Sequence, residues 1–318
     1  MVMDLMLIAA GIVLLASGGE LLIRGALTLA QRLGISPLLS GLVVVGFGTS
    51  APELVVSLDA ALSSRPDIAV GNVIGSNIGN ILLILGVSAT ILPLVYQPMA
   101  LRRDAVAMLV ATVAVMLLAA GGTLGAVQGA VMLTGLAGYL IWAYTTEKGS
   151  QLPAGELHAA ESAEMTPLPV GPGLTLVMLA VGLGLLIGGS RVLLTGASSI
   201  AAELGLSEAL IGLTLVAVGT SLPELTVSVM AAIRRHADVA IGNILGSNIF
   251  NILGILGVSA LVQPLPLASR MAWFDQWIML GAAVLLTLFL VSGRRLSRLE
   301  GVVLLMGYGA YVAVGVTL

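Results

Sequence analysis

Long runs of apolar residues, separated by short polar or Pro- and Gly-containing stretches, cover almost the whole chain. Each run is near the ~20 residues that an α-helix needs to cross a bilayer. The pattern therefore predicts an all-α polytopic membrane protein. Its ten expected spans are 5–31, 36–62, 68–92, 104–120, 124–145, 173–202, 207–233, 239–263, 271–291 and 299–317.

One sustained polar stretch lies between the fifth and sixth spans, at 146–172, and it contains Pro, Gly and four Glu. It is too short for a folded domain, and its composition is typical of a flexible connection. The chain is therefore expected to consist of a first five-helix half at 1–145, a connecting loop at 146–172 and a second five-helix half at 173–318.

A 41-residue segment occurs twice, as GTSAPELVVSLDAALSSRPDIAVGNVIGSNIGNILLILGVS at 48–88 and as GTSLPELTVSVMAAIRRHADVAIGNILGSNIFNILGILGVS at 219–259. The offset is 171 residues without a gap, and 26 of the 41 positions are identical, which indicates an internal repeat. Five spans separate equivalent residues, and because five is odd the two copies must cross the membrane in opposite directions. Inverted repeats are typical of secondary transporters, which bind substrate near the midplane where the repeats meet.

The composition supports the membrane class. The chain is 58% hydrophobic and 9% charged, with a mean hydropathy of +1.11, which excludes an ordinary soluble domain. The chain has no cysteine, so disulfides, thiolate metal sites and Cys nucleophiles are excluded. Membrane lipid is the expected surrounding, no nucleic-acid partner is indicated, and nothing in the sequence implies an oligomer.

The basic residues are distributed unequally between the two predicted membrane faces. The face with two basic residues has Arg65 and Arg270. The face with nine has Arg32, Arg102, Arg103, Lys148, Arg234, Arg235, Arg294, Arg295 and Arg298. Since Lys- and Arg-rich loops remain in the cytoplasm, we expect the 146–172 loop to be cytoplasmic and both termini to be external, in a plasma or inner membrane.

Polar side chains recur at the same places in both copies of the repeat, within otherwise apolar spans. They are Thr49, Ser50, Glu53, Ser76 and Asn80 in the first half and Thr220, Ser221, Glu224, Ser247 and Asn251 in the second. Polar and ionisable groups inside a membrane are costly and indicate a functional site. Two copies of one polar cluster therefore predict a single site assembled from two half-sites.

Each glutamate follows a proline, Pro52 or Pro223. Proline cannot donate a backbone hydrogen bond, and its ring clashes with the carbonyl four residues earlier, at Gly48 or Gly219. We therefore expect both helices to be interrupted just before the glutamates. Carbonyl groups freed inside a membrane are tolerated where they line a cavity, so they are available to coordinate a cation.

The predicted site offers carboxylates, hydroxyls, amides and carbonyls, all of which bind through oxygen. Hard cations select such ligands, whereas Zn²⁺ and copper favour His or Cys. Two carboxylates match one divalent ion in charge. Ca²⁺ accepts six to eight oxygens in irregular geometry, while Mg²⁺ requires a stricter octahedron, so the residues favour Ca²⁺ transport.

The motifs GTSAPEL…GSNIGN and GTSLPEL…GSNIFN resemble the two signature repeats of the sodium/calcium exchanger family, within the calcium/cation antiporters, in its prokaryotic form without a regulatory domain. The resemblance implies ten helices in two inverted five-helix repeats, with discontinuous helices two, three, seven and eight forming the site. It also implies a secondary antiporter, not an enzyme, that needs no cofactor and exchanges Na⁺ for Ca²⁺ by alternating access. The first and sixth helices would slide across the other eight.

The resemblance further implies a set of cation ligands with Glu53 and Glu224 at its centre. The supporting ligands would be Thr49, Thr220, Ser50, Ser221, Ser76, Ser247, Asn80 and Asn251, with backbone carbonyls at Gly46 and Ala217. The K⁺-dependent branch of the family has Asp where Asn251 stands. Since Asn80 and Asn251 are both neutral amides, the sequence argues against K⁺ co-transport.

Three alternatives remain open at this point. Glutamates in a poorly solvated pocket can carry protons, which would make the chain an H⁺/Ca²⁺ antiporter. A cation channel is the second, although interrupted helices in inverted repeats suit alternating access better. An intramembrane hydrolase is the third, but no Cys and no membrane-embedded His is available to activate a serine.

Overall fold

The computed structural model describes residues 2–35, 37–95, 98–149, 170–203, 217–293 and 295–317, which are almost entirely helical. The α-helices are α1 (Val2–Leu33), α2 (Pro37–Ser40), α3 (Phe47–Thr49), α4 (Ala51–Leu62), α5 (Pro66–Gly79), α6 (Gly86–Ile91), α7 (Pro98–Leu118), α8 (Ala126–Gly149), α9 (Pro172–Glu203), α10 (Ala217–Thr220), α11 (Leu222–Ile233), α12 (Ala237–Ile249), α13 (Leu256–Val262), α14 (Gln276–Ser292) and α15 (Arg298–Thr317).

Several of these helices are joined end to end by π-helical segments, at Gly41–Gly46, Asn80–Leu85, Phe250–Ile255 and Met271–Asp275. Short strands lie near the helix ends: β1 (Leu94–Val95), β2 (Thr123–Leu124), β3 (Leu265–Pro266) and β4 (Arg295–Leu296). Strand β1 pairs antiparallel with β4, and β2 pairs antiparallel with β3. Each pair therefore joins a loop of the first half of the chain to a loop of the second.

Among the described residues, six helical stretches are long and apolar enough to cross a membrane. They are Val2–Leu33, Pro66–Ile91, Ala126–Thr146, Pro172–Ala197, Ala237–Val262 and Met271–Ser292. A seventh span results if Gly41–Thr49 and Ala51–Leu62, which meet at a bend of 48°, are taken together. The chain is thus a multi-pass helical membrane protein, and these stretches coincide with predicted spans one, three, five, six, eight, nine and two.

The other predicted spans are covered in part. Helix α7 begins at Pro98, earlier than the predicted start at 104, and α15 occupies predicted span ten. Helix α11 covers the second part of predicted span seven. The first part of that span, and residues 150–169 of the predicted connecting loop, lie outside the described residues.

Spans three and eight differ from the expectation that they are discontinuous. Neither Pro66–Ile91 nor Ala237–Val262 leaves helical geometry; each passes into a π-helical segment, with φ −57° and ψ −46° at Asn80 and φ −66° and ψ −41° at Phe250. The physical reason is that neither span contains a proline after its first residue, so no backbone N–H is lost inside it. A π-helical turn accommodates one extra residue per turn while the helix continues.

The two longest helices, α1 and α9, lie side by side over most of their length. Their backbones approach closely at glycines: a Cβ atom added to Gly18 would lie 2.8 Å from the carbonyl oxygen of Gly182. A Cβ atom on Gly189 would lie 2.9 Å from the backbone nitrogen of Leu15. Small residues permit such approach between membrane helices, where van der Waals packing drives association.

Helix α12 lies at the centre of the molecule, and all of its residues from Val239 to Ile249 are buried. It packs against the π-helical segment Gly41–Gly46, again through glycines. A Cβ atom on Gly46 would lie 2.8 Å from the carbonyl oxygen of Asn243, and one on Gly246 would lie 2.0 Å from that of Leu42. This contact fixes the start of α4, which belongs to the first half, against a helix of the second half.

Two buried aspartates, also 171 residues apart, fasten the outer helices, and the sequence analysis did not identify them. Asp104 of α7 accepts a hydrogen bond from the Tyr139 hydroxyl of α8 at 3.0 Å. Asp275 accepts one from the Tyr311 hydroxyl of α15 at 3.1 Å and forms an ion pair with Arg270 at 3.4 Å. Because a buried carboxylate needs partners, these contacts hold the predicted fourth and fifth spans together, and likewise the ninth and tenth.

Candidate functional site

Glu53 and Glu224 lie in the first turn of α4 and α11, at equivalent places. The backbone leaves helical geometry at the preceding serine, with ψ near 7° at both Ser50 and Ser221, and the helix restarts there with Pro at its second position. The first turn of a helix leaves its N–H groups unpaired, so a proline there costs nothing. The predicted interruption before each glutamate is thus present, and it is confined to one residue.

The two carboxylates are held reciprocally by the two halves of the chain. The Ser50 hydroxyl donates to Oε1 of Glu224 at 3.0 Å, and the Ser221 hydroxyl donates to Oε1 of Glu53 at 3.2 Å. Both glutamates are only 1% exposed. The structure therefore brings together four predicted site residues that are up to 174 positions apart in sequence.

Four buried oxygen atoms of the predicted site accept no hydrogen bond from the residues that the structure describes. They are Oε2 of Glu53, Oε2 of Glu224, Oδ1 of Asn80 and Oδ1 of Asn251. A buried acceptor without a partner is costly and calls for an explanation. Two carboxylate oxygens and two amide oxygens are the ligands that a hard cation such as Ca²⁺ or Na⁺ takes, so the donor set fits cation binding.

The hydroxyls of the predicted site mainly join the helices to one another. The Thr49 hydroxyl donates to Oδ1 of Asn243 at 3.1 Å, and the Ser247 hydroxyl donates to the carbonyl oxygen of Gly46 at 3.0 Å. Ser76 accepts a hydrogen bond from Nδ2 of Asn251 at 3.1 Å. Each hydroxyl oxygen has two lone pairs and can donate to one partner while accepting from, or coordinating, another.

The two backbone carbonyls of the predicted ligand set stand differently from the side chains. The Gly46 carbonyl is not free as expected, because it accepts hydrogen bonds from Ser247 and Thr49 and from the backbone N–H of Ser50. Its surroundings supply donors from both halves of the chain. Ala217 begins α10, and its side chain lies outside the described part; Thr220, in the same helix, is half-buried.

Asn72 and Asn243 belong to the site but were not singled out from the sequence. Nδ2 of Asn72 donates to the carbonyl oxygen of Glu53 at 3.2 Å and to the Ser57 hydroxyl at 2.9 Å. Nδ2 of Asn243 contacts the equivalent atoms of Glu224 and Ser228 at 3.3 and 2.9 Å. These amides fasten each glutamate-bearing helix to its neighbour. The signal was available, since both asparagines are identical positions of the 171-residue repeat.

The charge of the site is low for its number of oxygen atoms. Within the ranges that the structure describes, His, Asp and Glu side chains form no group of three or more that could hold a metal ion. Any cation must therefore be bound by two carboxylates together with neutral oxygens. Such a site can release its ion again more readily than one with three or four carboxylates, because ligand charge is one of the factors that set affinity.

Comparison with known proteins agrees with this geometry. The family model described as "Sodium/calcium exchanger protein" matches the chain twice, at residues 3–145 and 174–316. The protein named CaxA in Alkalimonas amylolytica is 38% identical over 307 residues, covering 96% of each chain. The sodium/calcium exchanger MaX1 of Methanosarcina acetivorans is 31% identical, covering 98% of each.

The structural comparison gives the same result. The sodium-calcium exchanger NCX_Mj, solved after soaking with zero Na⁺ and Ca²⁺, superposes with a TM-score of 0.84 and 30% sequence identity over 98% of both chains. The similarity therefore extends over nearly the whole molecule, including both halves of the repeat. The chain belongs to the sodium/calcium exchanger family, whose members are membrane antiporters.

Proposed function

We propose that this protein is a secondary antiporter that exchanges Na⁺ for Ca²⁺ across the membrane by alternating access. The observation that carries the proposal is the pair of buried glutamates, each held by a serine of the opposite half and each with one oxygen unpartnered among the described residues. Two negative charges in a desolvated pocket are strongly unfavourable unless cations neutralise them. Either one Ca²⁺ or Na⁺ ions can do so, which is the requirement for exchange at a shared site.

The proposed architecture is ten helices in two inverted five-helix repeats, at 1–145 and 173–318. The equivalence of contacts across the 171-residue offset supports it: Ser50 with Ser221, Asn72 with Asn243, and Asp104 with Asp275 occupy corresponding places. Opposite orientation of the two halves places both glutamate-bearing helix starts near the membrane centre. A substrate site between the repeats can then be reached from either side.

The proposed ligands are the carboxylates of Glu53 and Glu224 and the amide oxygens of Asn80 and Asn251. Hydroxyls can complete the shell, because Ser50 and Ser221 keep lone pairs while donating to the carboxylates. The further oxygens of the proposed set are Thr49, Thr220, Ser76, Ser247 and the carbonyls of Gly46 and Ala217. Six to eight oxygens in irregular geometry is the coordination that Ca²⁺ accepts.

Helices α1 and α9 are the proposed moving pair. They pack on each other through glycines, so they can move together without separating. Two polar contacts connect the pair to the second half: Ser190 of α9 donates to the Gly219 carbonyl, and Arg234, which follows α11, pairs with Glu20 of α1 at 3.3 Å. Glu20 also pairs with Arg24 at 2.6 Å, as its spacing suggests.

The coupling ion is tested with purified protein in proteoliposomes. We expect an outward Na⁺ gradient to drive accumulation of radioactive Ca²⁺, and we expect no accumulation when choline replaces Na⁺. The reason is that accumulation against a gradient needs a coupled ion, which the two carboxylates bind in turn with Ca²⁺. A pH gradient imposed without Na⁺ is the matched control. Strong, sustained Ca²⁺ accumulation under that condition would make protons the driving ion and this protein an H⁺/Ca²⁺ antiporter.

The same vesicles distinguish an exchanger from a channel. An exchanger saturates with Ca²⁺ and stops when the opposing Na⁺ gradient is removed. A channel conducts Ca²⁺ down its own electrochemical gradient, whether or not Na⁺ is present on the other side. Ca²⁺ flux that ignores Na⁺ but follows the membrane potential would therefore replace the antiport proposal.

The proposed orientation puts the 146–172 loop in the cytoplasm and both termini outside, from the nine-to-two distribution of basic residues. Because the chain lacks cysteine, single-cysteine variants report one position each. We expect Ser269→Cys to react with a membrane-impermeant maleimide added to intact cells. We expect Ser150→Cys to react only after the cells are permeabilised. The opposite pattern would reverse the orientation.

A further inference from the structure

An asparagine amide can bind a cation only if its oxygen, and not its NH₂ group, faces the ion. The two ends of the amide have nearly the same shape, so hydrogen bonds from the surroundings must determine which end points inward. Asn80 and Asn251 both leave Oδ1 without a hydrogen-bond partner among the described residues. Both use Nδ2 to donate to another side chain, which fixes the direction of each amide.

The Asn80 amide is fixed by Asn248, a residue of α12 that is 0% exposed. Nδ2 of Asn80 donates to Oδ1 of Asn248 at 3.1 Å. Asn248 in turn directs its own Nδ2 toward the sulfur of Met108, at 3.5 Å. A thioether sulfur can accept a hydrogen bond but cannot donate one. The nitrogen of Asn248 therefore faces Met108, and its oxygen is left to face Asn80.

The Asn251 amide is fixed by a different chain of hydrogen bonds. Nδ2 of Asn251 donates to the Ser76 hydroxyl at 3.1 Å, and that hydroxyl donates to the carbonyl oxygen of Val73 at 3.1 Å. A carbonyl can only accept, so the direction of this chain is fixed as well. The repeat is thus asymmetric at this point, although Asn80 and Asn251 are equivalent positions.

The asymmetry appears most clearly at Asn77, the position 171 residues before Asn248. Nδ2 of Asn77 donates to the Val73 carbonyl of its own helix at 2.7 Å. Asn251, the amide that corresponds to Asn80, donates to Ser76 and not to Asn77. The two equivalent asparagines therefore have different roles. One orients an amide of the site, and the other contacts its own helix.

We infer that Asn248 is a positioning residue that turns the carbonyl oxygen of Asn80 toward the transported cation. The inference rests on the proposed function, because it takes Asn80 as a cation ligand. Without Asn248, the Asn80 NH₂ group loses its acceptor and gains by rotating toward the carboxylates of the site. A hydrogen-bond donor then occupies the place of a cation ligand, and Ca²⁺ must displace it in order to bind.

The experiment compares Asn248→Ala with Asn77→Ala, two identical changes at equivalent positions. Ca²⁺ uptake driven by Na⁺ is measured in proteoliposomes and normalised to the amount of monodisperse protein. Loss of a residue that orients a metal ligand typically lowers affinity about 10- to 100-fold. We expect Asn248→Ala to raise the half-saturating Ca²⁺ concentration by that factor, and we expect Asn77→Ala to leave it unchanged. Equal values for the two variants would overturn the inference.

Replacing Asn80 by aspartate separates positioning from a purely structural role. A carboxylate presents oxygen at both ends and needs no orientation. In an Asn80→Asp background, Asn248→Ala should therefore have little further effect on the half-saturating concentration. An Asn248 that merely stabilised the fold would weaken Ca²⁺ uptake equally in both backgrounds, and that result would refute the proposed role.

Two further variants keep the test decisive. If Asn248→Ala does not fold, Met108→Leu conserves core volume and removes the sulfur acceptor, so it should shift Ca²⁺ half-saturation in the same direction by a smaller factor; no shift would refute the role. Glu53→Gln tests the site itself. If that variant transports normally, the proposed function fails. If it is inactive while Asn248→Ala behaves like Asn77→Ala, only the role of Asn248 is wrong.

Discussion

Glu53→Gln and Glu224→Gln are each expected to abolish Ca²⁺ transport while the protein remains folded. Glutamine keeps the shape of the side chain and an oxygen that can accept the hydrogen bond from Ser221 or Ser50. It removes one of two negative charges that face the cation. A unit charge pair ~4 Å apart is worth roughly 4 kcal/mol at an effective dielectric constant of ~20, and more for a divalent ion. Since each 1.4 kcal/mol is about tenfold, affinity should fall on the order of a thousandfold or more.

Glu300→Gln is the matched control for this prediction. Glu300 also lies in the first turn of a helix, α15, where its Oε2 accepts hydrogen bonds from the backbone N–H and the hydroxyl of Ser297. It is distant in the chain from the repeated motifs and belongs to no part of the proposed site. Its glutamine variant should transport like the unmodified protein. Near-normal Na⁺-driven Ca²⁺ uptake by either site variant would show that the ligands are assigned wrongly.

The sequence was sufficient to predict the helices and the meeting of the two glutamates. Apolar runs near bilayer length can be recognised without any knowledge of packing, because the lipid imposes that length. The meeting of Glu53 and Glu224 followed from the repeat and from the odd number of spans between its copies. Both glutamates are indeed buried, and each accepts a hydrogen bond from the other half of the chain.

The local form of spans three and eight could not be predicted in the same way. An interrupted helix was expected there, but the chain continues through the π-helical segments Asn80–Leu85 and Phe250–Ile255. Apolar residues surround both segments on all sides, so no change of hydrophobic period marks a π-helical turn. Proline marked the bends beside Ser50 and Ser221 because it removes a specific backbone donor, and no comparable residue marks a π-helical turn.

The partners of individual polar atoms were also beyond the sequence. The Gly46 carbonyl was expected to be free, but a hydroxyl 201 residues away in the chain, that of Ser247, donates to it. Asn72 and Asn243 were visible as repeated polar residues, yet their contacts with the glutamate-bearing helices depend on how neighbouring helices cross. The asymmetry between Asn77 and Asn248 is harder still, because the two residues are identical and equivalent in sequence.

The close packing of α12 against Gly41–Gly46 leads to the second large effect, that of Gly246→Ala. A Cβ atom at residue 246 would lie 2.0 Å from the carbonyl oxygen and 2.7 Å from the Cα atom of Leu42. Overpacking a core typically costs about 1–3 kcal/mol, and here the obstacle is backbone, which cannot rotate away as a side chain can. We expect a marked loss of folded protein, measured as the monodisperse fraction and the Tm in detergent.

Gly135→Ala is the control for the glycine prediction. Gly135 is exposed on α8, and none of the described atoms beyond its own helix lies within 4 Å of the added Cβ position. Alanine is the better helix former by about 1 kcal/mol, so this variant should be as stable as the unmodified protein or more so. Any Gly246→Ala protein that does fold must move α12 away from Leu42, and with it Asn243 and Ser247. Those residues hold Thr49 and the Gly46 carbonyl at the site, so the folded fraction should also bind Ca²⁺ more weakly. An unchanged Tm together with unchanged Ca²⁺ half-saturation would contradict the close approach of these two helices.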